Sequence, residues 1–187
     1  MNLVEYGIDT SQLREITLAD KPKIDSLLSL APNLGCENCF TNLFVWRGIY
    51  LLKLLDIAED RAVIYNGRDK CIYFPIGRIP NPRELLEIHR AFAENKLLSP
   101  DSRIYNVPPD YPEKFPEART LFDFDANPGE ADYIYDVEKQ IALTGPKLRK
   151  KRNHIKHFTA QNPNASVEPI DESNFKSALR FMAVSYT

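Results

Sequence analysis

Three short apolar segments follow one another between residues 51 and 77, and residues typical of turns separate them. They read LLKLLDIA, RAVIYN and KCIYFPIG, with Glu59-Asp60 after the first and Asn66-Gly67 after the second. Asn-Gly is a strong hairpin signal because both residues tolerate the left-handed backbone that a tight turn between antiparallel strands requires. We therefore predict three consecutive strands joined by short turns, so an antiparallel sheet organises the fold.

Helical patterns lie on both sides of these strands in the sequence. A short strand ends at Ile16, and Asp20 with Pro22 then begins a helix. The amphipathic stretch ENCFTNLFVWRGIY predicts a second helix, Asn81-Pro82 begins a third, and SRIYNVP returns to a strand. We predict a mixed α/β (α+β) fold in which helices flank a largely antiparallel sheet.

Further elements are predicted toward the C-terminus. TLFDFD and ADYIYD have strand character, and helices are predicted over residues 136–143 and from 147 to about 160. The stretch from Val167 repeats the strand–turn–helix pattern that begins at Leu13. We therefore predict a tandem repeat, with an N-terminal module over residues 1–165 and the start of a second, truncated module over residues 166–187.

Composition indicates a globular chain with its own core. Of its 187 residues, 43% are hydrophobic, which is ample for a core. No apolar run approaches the roughly 18 residues of a membrane span, and the N-terminus lacks the pattern of a signal peptide. Three cysteines without a leader fit a reducing compartment. We expect a cytoplasmic protein with no stable membrane span.

The segment LTGPKLRKKRNHIKHF carries six Lys or Arg side chains and no acid, in a chain whose net charge is −2. At helical spacing Lys151 falls within the apolar stripe that includes Ile155 and Phe158, and Arg152 lies on the border of that stripe. A lysine on an apolar face extends its ammonium to water, pairs with a carboxylate, or holds an anion.

If Lys151 holds an anion, this helix contains an anion site or carrier-binding site. Its candidate residues are Arg149, Lys151, Arg152 and Asn153. The opposite, outer face of the helix offers a further hypothesis, because its basic side chains could contact nucleic acid. One short helix would bind nucleic acid weakly and without sequence specificity.

Other chemistries have less support in the sequence. Cys36 and Cys39 form one C-x-x-C pair, whereas a zinc site takes four ligands, so we predict no metal site. Three histidines leave little material for a Ser–His–Asp arrangement, and no catalytic residue is assigned. No two of the seven glycines are closer than ten residues, so a Gly-rich nucleotide loop cannot form and no cofactor is expected in this chain.

Three stretches resemble successive signatures of the phosphatidylglycerol lysyltransferase C-terminal family: CFTNLFVWRGIY, YFPIG and DYIYDVEKQIALTGPKLRKKRNHIKHF. The resemblance covers about residues 10 to 165 and is strongest at Tyr135, Leu143, Gly145, Lys151-Arg152-Asn153 and Phe158. That family is similar in fold to the Gcn5-related N-acetyltransferases (GNAT), used as two tandem modules, as in the Fem-type peptidyl aminoacyltransferases.

The resemblance implies transfer of an activated acyl or aminoacyl group to an amine or hydroxyl acceptor, with acyl-CoA or aminoacyl-tRNA as the donor. Lys151 and Arg152 would then hold phosphate of the carrier or of a lipid headgroup. The implied partners are a second GNAT-like module of the same protein and tRNA, and we expect this chain alone to be inactive. The alternative is a non-catalytic module whose basic helix docks RNA or an acidic partner.

Overall fold

The computed structural model describes residues 7–31, 35–99 and 101–185. These residues form two compact units that divide between Tyr133 and Ile134, called here the N-terminal unit and the C-terminal unit. The prediction that a second module begins at residue 166 concerns a fold repeat and stays a prediction.

In the described residues, the N-terminal unit contains a six-stranded sheet that confirms the predicted series of strands. The strand order is β1-β2-β3-β4-β6, and β5 pairs with β3. The β4–β6 pair is parallel, and the other described pairs are antiparallel. The strands are β1 Arg14–Glu15, β2 Leu52–Ala58, β3 Arg61–Asn66, β4 Cys71–Tyr73, β5 Ile76–Gly77 and β6 Ile104–Tyr105.

Helices cover both faces of this sheet because successive strand residues point to opposite sides. Leu54 packs with side chains of the first two helices, whereas its neighbour Leu55 packs with side chains of the third. The Asn81-Pro82 signal is confirmed, since Asn81 caps the third helix through its side chain. The helices of this unit are α1 Lys21–Leu30, α2 Phe40–Tyr50, α3 Pro82–Glu94 and the short α4 Tyr111–Lys114.

A buried ion pair ties α3 to the sheet. Arg61 on β3 and Glu84 on α3 are 3% and 6% exposed, and their Nη2 and Oε2 atoms are 3.2 Å apart. The Arg61 Nε–H also donates to the carbonyl of Arg78 at 2.9 Å. Gly77 stands beside this cluster with φ +102°, where a Cβ would come within 2.1 Å of the Asp60 carbonyl oxygen. This position in β5 therefore requires glycine.

The C-terminal unit consists of helices and connecting segments. A 3-10 turn at Pro146–Leu148 precedes the second of its helices, and this arrangement confirms the helices predicted there. No side chain described between residues 134 and 183 is buried. Its helices are α5 Val137–Ala142, α6 Arg149–Gln161 and α7 Phe175–Ser185.

Three predicted strands are wrong. The segments TLFDFD, ADYIYD and VEPI have no strand structure, and their backbones pair with no neighbouring strand in the described chain. Phe122 instead anchors the first of them by packing against a core cluster. Tyr133 and Val167 are 87% and 102% exposed, so alternation of residue types does not put one side of these segments on a core.

None of the helices in the described ranges is both long and apolar enough to cross a membrane.

Candidate ligand cleft and basic helix

A cleft of about 1310 Å³ lies in the N-terminal unit. Its lining includes Tyr73 at the end of β4 and Tyr105 at the end of β6, which are the two parallel strands. α3 connects these strands, so they form a β–α–β unit. Ligands of open α/β sheets commonly bind beyond the carboxyl ends of parallel strands, which makes this cleft the candidate site.

Helix α2 supplies one wall of the cleft. Asn42, Trp46 and Tyr50 follow one another at four-residue spacing and therefore lie along one side of the helix. The rings of Trp46 and Tyr50 are 5.9 Å apart between centroids and tilted by 52°. The Cys39 thiol caps the start of this helix by accepting a hydrogen bond from the Asn42 N–H at 3.4 Å.

A row of side chains across three strands supplies the floor. Leu52 on β2 is the register partner of Asn66 on β3, and Asn66 is the partner of Cys71 on β4. All three line the cleft. Asn66 is 3% exposed, and its side chain makes two hydrogen bonds of 2.9 Å with Asp69, one to the carboxylate and one from the backbone N–H. The Asp69 carboxylate is therefore held in a fixed orientation at the cleft.

Burial and neighbouring negative charge keep the Tyr73 hydroxyl and the Cys71 thiol of the cleft protonated. Burial, with the charges of Cys71, Glu37 and Tyr50, raises the pKa of Tyr73 to about 12 against a lowering effect of Asn66. Burial and the Asp69 charge raise the pKa of Cys71 to about 11. The hydroxyl and the thiol are therefore neutral at physiological pH, and carboxylates carry the negative charge in this part of the cleft.

Cys36, Glu37 and Asp132 form a second group at the cleft mouth. Their ligand atoms lie within 4.8 Å of one another, and the Cys36 backbone N–H donates to Asp132 at 2.6 Å. Desolvation, hydrogen bonds to Asp132 and Glu37, and their charges raise the pKa of the Cys36 thiol to about 11. One thiol and two carboxylates offer three ligands to a metal ion. The sequence does not reveal this group because Asp132 is 96 residues from Cys36.

His89 lines the cleft from α3. Its Nε2 lies 3.2 Å from the Ser102 hydroxyl. Burial lowers the pKa of His89, which therefore stays neutral at physiological pH. The sequence did not predict His89 or Ser102 as site residues, since a lone histidine on a helix belongs to no recognisable motif.

The sequence-predicted residues Arg149, Lys151, Arg152 and Asn153 lie elsewhere, in the first turns of α6 in the C-terminal unit. All four are exposed. The apolar stripe beside Lys151 is also uncovered, since Ile155 and Phe158 are 53% and 56% exposed. Lys151 therefore lies on an exposed apolar face.

Arg152 has a local structural role in addition. Its Nη1 donates to the Leu143 carbonyl and, at 2.9 Å, to the Gly145 carbonyl. Leu143 and Gly145 both have positive φ, so the guanidinium ties together the left-handed turn that ends α5. A guanidinium has five N–H donors, and those on Nη2 and Nε have no partner among the described residues.

The mixed sheet, its parallel β4–β6 pair and the helices on both faces define a GNAT-like α+β protein. Residues 29–185 match the family described as phosphatidylglycerol lysyltransferase, C-terminal, and the chain belongs to this family. The sequence-based resemblance is thereby confirmed.

The chain is also similar to a solved structure described as a conserved protein of unknown function from Bacteroides thetaiotaomicron VPI-5482. The TM-score is 0.78 with 24% sequence identity, and the match covers 92% of this chain. The chain spans 58% of the length of that structure. At this identity the likeness shows a common fold. No curated protein matches the chain.

Proposed function

We propose that this chain is the N-terminal GNAT-like module of a cytoplasmic acyl- or aminoacyltransferase. The observation that carries the proposal is the family match over residues 29–185, a family whose description is a lysyltransferase domain. The large cleft at the ends of β4 and β6 supports it, because a transferase needs a concave site for the transferred group.

The reaction would join the acceptor to the carbonyl carbon of the donor. An amine or hydroxyl of the acceptor attacks this carbon, and the ester or thioester bond to the carrier breaks. The proton of the acceptor passes to the oxygen or sulfur that leaves. The protein would contribute mainly by positioning the two reactants and stabilising the charge on the carbonyl oxygen. No residue is assigned as the catalytic base.

The start of α6 would hold phosphate of the carrier, acyl-CoA or aminoacyl-tRNA. The first N–H groups of a helix point outward and favour anions. At α6 no side chain caps them, and the first turn contains Arg149 and Lys151 instead of acids. Basic side chains at this end oppose the helix dipole, a cost that a bound anion would relieve. Arg152 and Asn153 complete the proposed site.

A second GNAT-like module of the same protein is the partner that we propose for the C-terminal unit. Ile141 and Phe181 are 78% and 75% exposed, and α6 and α7 likewise present apolar side chains to solvent. Exposed apolar surface of this kind typically marks an interaction site. On this proposal the chain alone is inactive, and activity needs both modules.

A non-catalytic module that docks RNA or an acidic partner is the second candidate. Lys150 and Lys156 favour it, because both are exposed on α6 and no acid follows the basic residues within the helix. The two candidates predict opposite effects of charge changes on the same helix.

A transfer assay separates them. Labelled aminoacyl-tRNA and labelled acyl-CoA are offered, with amine and hydroxyl acceptors, to the purified full-length protein that contains both modules. A transferase should lose carrier binding and transfer in Lys151→Ala and retain them in Lys150→Glu and Lys156→Glu. A docking module should show the reverse for RNA binding. If the protein binds neither carrier and transfers nothing to any acceptor, the transferase proposal is wrong.

A further inference from the structure

We propose that the α2 side of the cleft is a subsite for an alkylammonium group. Its aromatic walls are Trp46, Tyr50 and Tyr73, and its counter-charges are Glu37 and Asp69. The chemical role of this subsite rests on the proposed function, since it would place an amine beside the group to be transferred. The existence of a cation site does not rest on the proposed function, and binding measurements alone can test it.

The aromatic walls fit a cation. Trp46 is 42% exposed and Tyr50 is half-buried, and their tilted rings, 5.9 Å apart, line the cleft along the same side of α2. A ring face attracts an ammonium group within about 6 Å, most strongly when the ring is tryptophan. The Tyr50 ring already accommodates one cation, since the Arg68 guanidinium lies 5.7 Å from its centroid.

The charge of the lining also favours a cation. Among the described residues, four carboxylates line the cleft, whereas the one basic lining side chain, Arg103, is paired with one of them, Asp125, at 2.7 Å. His89 is neutral, because burial lowers its pKa. An anionic ligand would therefore meet net repulsion in this cleft, and a cation net attraction. The carboxylates are Glu37, Asp69, Asp123 and Asp125.

The counter-charge from Asp69 is oriented before any ligand arrives. Its carboxylate accepts from the Asn66 amide at 2.9 Å, and Asn66 is 3% exposed on the floor. A fixed carboxylate loses little freedom when it meets a cation, which raises affinity. Glu37 also lines the cleft, and its charge acts on Tyr73.

An alkylammonium group could come from a free amine acceptor or from the side chain of an aminoacyl group. The two sources share the chemistry that the subsite recognises. Pentylamine represents the first and lysinamide the second.

Trp46 is the one tryptophan of the chain, so its fluorescence reports directly on this subsite. Pentylamine, 1-pentanol and pentanoate are titrated at constant ionic strength, with a chelator present to remove metal ions. We expect a saturable fluorescence change with pentylamine, and binding of the alcohol and the carboxylate weaker by about tenfold or more. Tighter binding of lysinamide than of pentylamine would assign the subsite to an aminoacyl group, and equal binding to a free amine. Both outcomes uphold it.

Two variants and one matched control complete the test. Glu37→Gln and Asp69→Asn remove one counter-charge each and should weaken pentylamine binding by about fivefold. Glu94→Gln removes an exposed carboxylate outside the lining and should change nothing. Using two separate variants keeps the test informative if one of them fails to fold.

Pentanol binding as tightly as pentylamine, or Glu37→Gln and Asp69→Asn both behaving like Glu94→Gln, would overturn the subsite. These results differ from a failure of the transferase proposal. Preferential amine binding without any acyl transfer would leave the subsite in place, whereas transfer without amine preference would remove only the subsite.

Discussion

The two units of the chain differ in both burial and charge. The N-terminal unit contains three clusters of buried apolar side chains and a cleft lined by carboxylates. The C-terminal unit has no buried side chain in its described part and contains the basic start of α6. Core burial supplies most of the stability of a folded chain. Stability is therefore concentrated in the N-terminal unit, whereas the C-terminal unit presents basic and apolar side chains to solvent.

The largest effect is expected at the buried ion pair. Glu84→Ala leaves Arg61 buried without its carboxylate and removes a capping interaction of α3, and we expect a loss of about 4 kcal/mol in the free energy of unfolding. Glu87→Ala, on the same helix, loses a more exposed pair with Arg90 and should cost less than about 1 kcal/mol. Urea unfolding measures both, and equal losses would contradict the assigned role of Glu84.

The same variant has a pH signature. Burial alone would raise the pKa of Glu84, but the Asn81 N–H, the charge of Arg61 and side-chain hydrogen bonds from Arg78 and Arg61 lower it below the ordinary value of 4.5. The stabilisation is therefore complete above pH 4.5 and is lost as the pH falls through the lowered pKa. The stability of Glu84→Ala should depend less on pH in this acidic range.

A second pair of variants compares apolar side chains in the two units. Leu54 is 0% exposed, and Leu54→Ala should lower the free energy of unfolding by about 3 kcal/mol through lost burial and the cavity it leaves. Ile155 is 53% exposed, and Ile155→Ala should cost no more than about 0.5 kcal/mol. Thermal unfolding of both variants tests the contrast. A large loss from Ile155→Ala would show that α6 is covered in solution.

Adjacent residues of α6 provide a sharper test within the C-terminal unit. Arg152→Ala removes the hydrogen bonds to the Leu143 and Gly145 carbonyls and should destabilise that turn by about 1 kcal/mol. Lys151→Ala should leave local stability unchanged, since Lys151 is exposed and makes no hydrogen bond or ion pair with the described residues. Amide hydrogen exchange of residues 143–148 measures the difference. Equal protection in the two variants would contradict the structural role of Arg152.

The smallest effect concerns the thiol at the cleft mouth. Because the pKa of Cys36 is raised to about 11, its thiolate fraction is small at pH 8 and alkylation should accelerate with pH up to that value. Asp132→Asn removes a neighbouring negative charge and should speed alkylation at pH 8 by about threefold. Cleavage after Glu37 places Cys36 and Cys39 in different peptides, so mass spectrometry then measures their alkylation separately. An unchanged rate would mean that Asp132 does not act on the thiol.

Local signals predicted much of the fold, and long-range contacts explain the rest. Asn81-Pro82 determines its own helix start, so neighbouring residues sufficed to place it. Asn66-Gly67 correctly marks the end of β3, but the turn extends over residues 67–70 and its left-handed residue is Lys70. TLFDFD failed as a strand because pairing depends on a partner strand that is not encoded nearby. The cleft needs α2, β4 and β6 together, and the contact of Cys36 with Asp132 spans 96 residues.

The basic helix α6 also has features that its own sequence pattern does not predict. The spacing and composition of this segment correctly predicted a helix with basic side chains. The position of Lys151 within an apolar stripe predicted nothing about burial, because burial depends on what covers Ile155 and Phe158. Arg152 was predicted as a ligand-binding residue, and its contacts with two carbonyls arise from a turn whose backbone geometry the sequence pattern does not reveal.

The most direct test of the central claim, that α6 holds the phosphate of a carrier, is aminoacyl-tRNA binding measured across a range of salt concentrations. We expect salt-dependent binding by the wild-type protein, weaker binding by Lys151→Ala, and a salt slope reduced by about one in that variant. Lys150→Glu with Lys156→Glu should retain most of the affinity. If Lys151→Ala binds like the wild type while the double charge reversal abolishes binding, the helix docks RNA by its other face and the carrier site is contradicted.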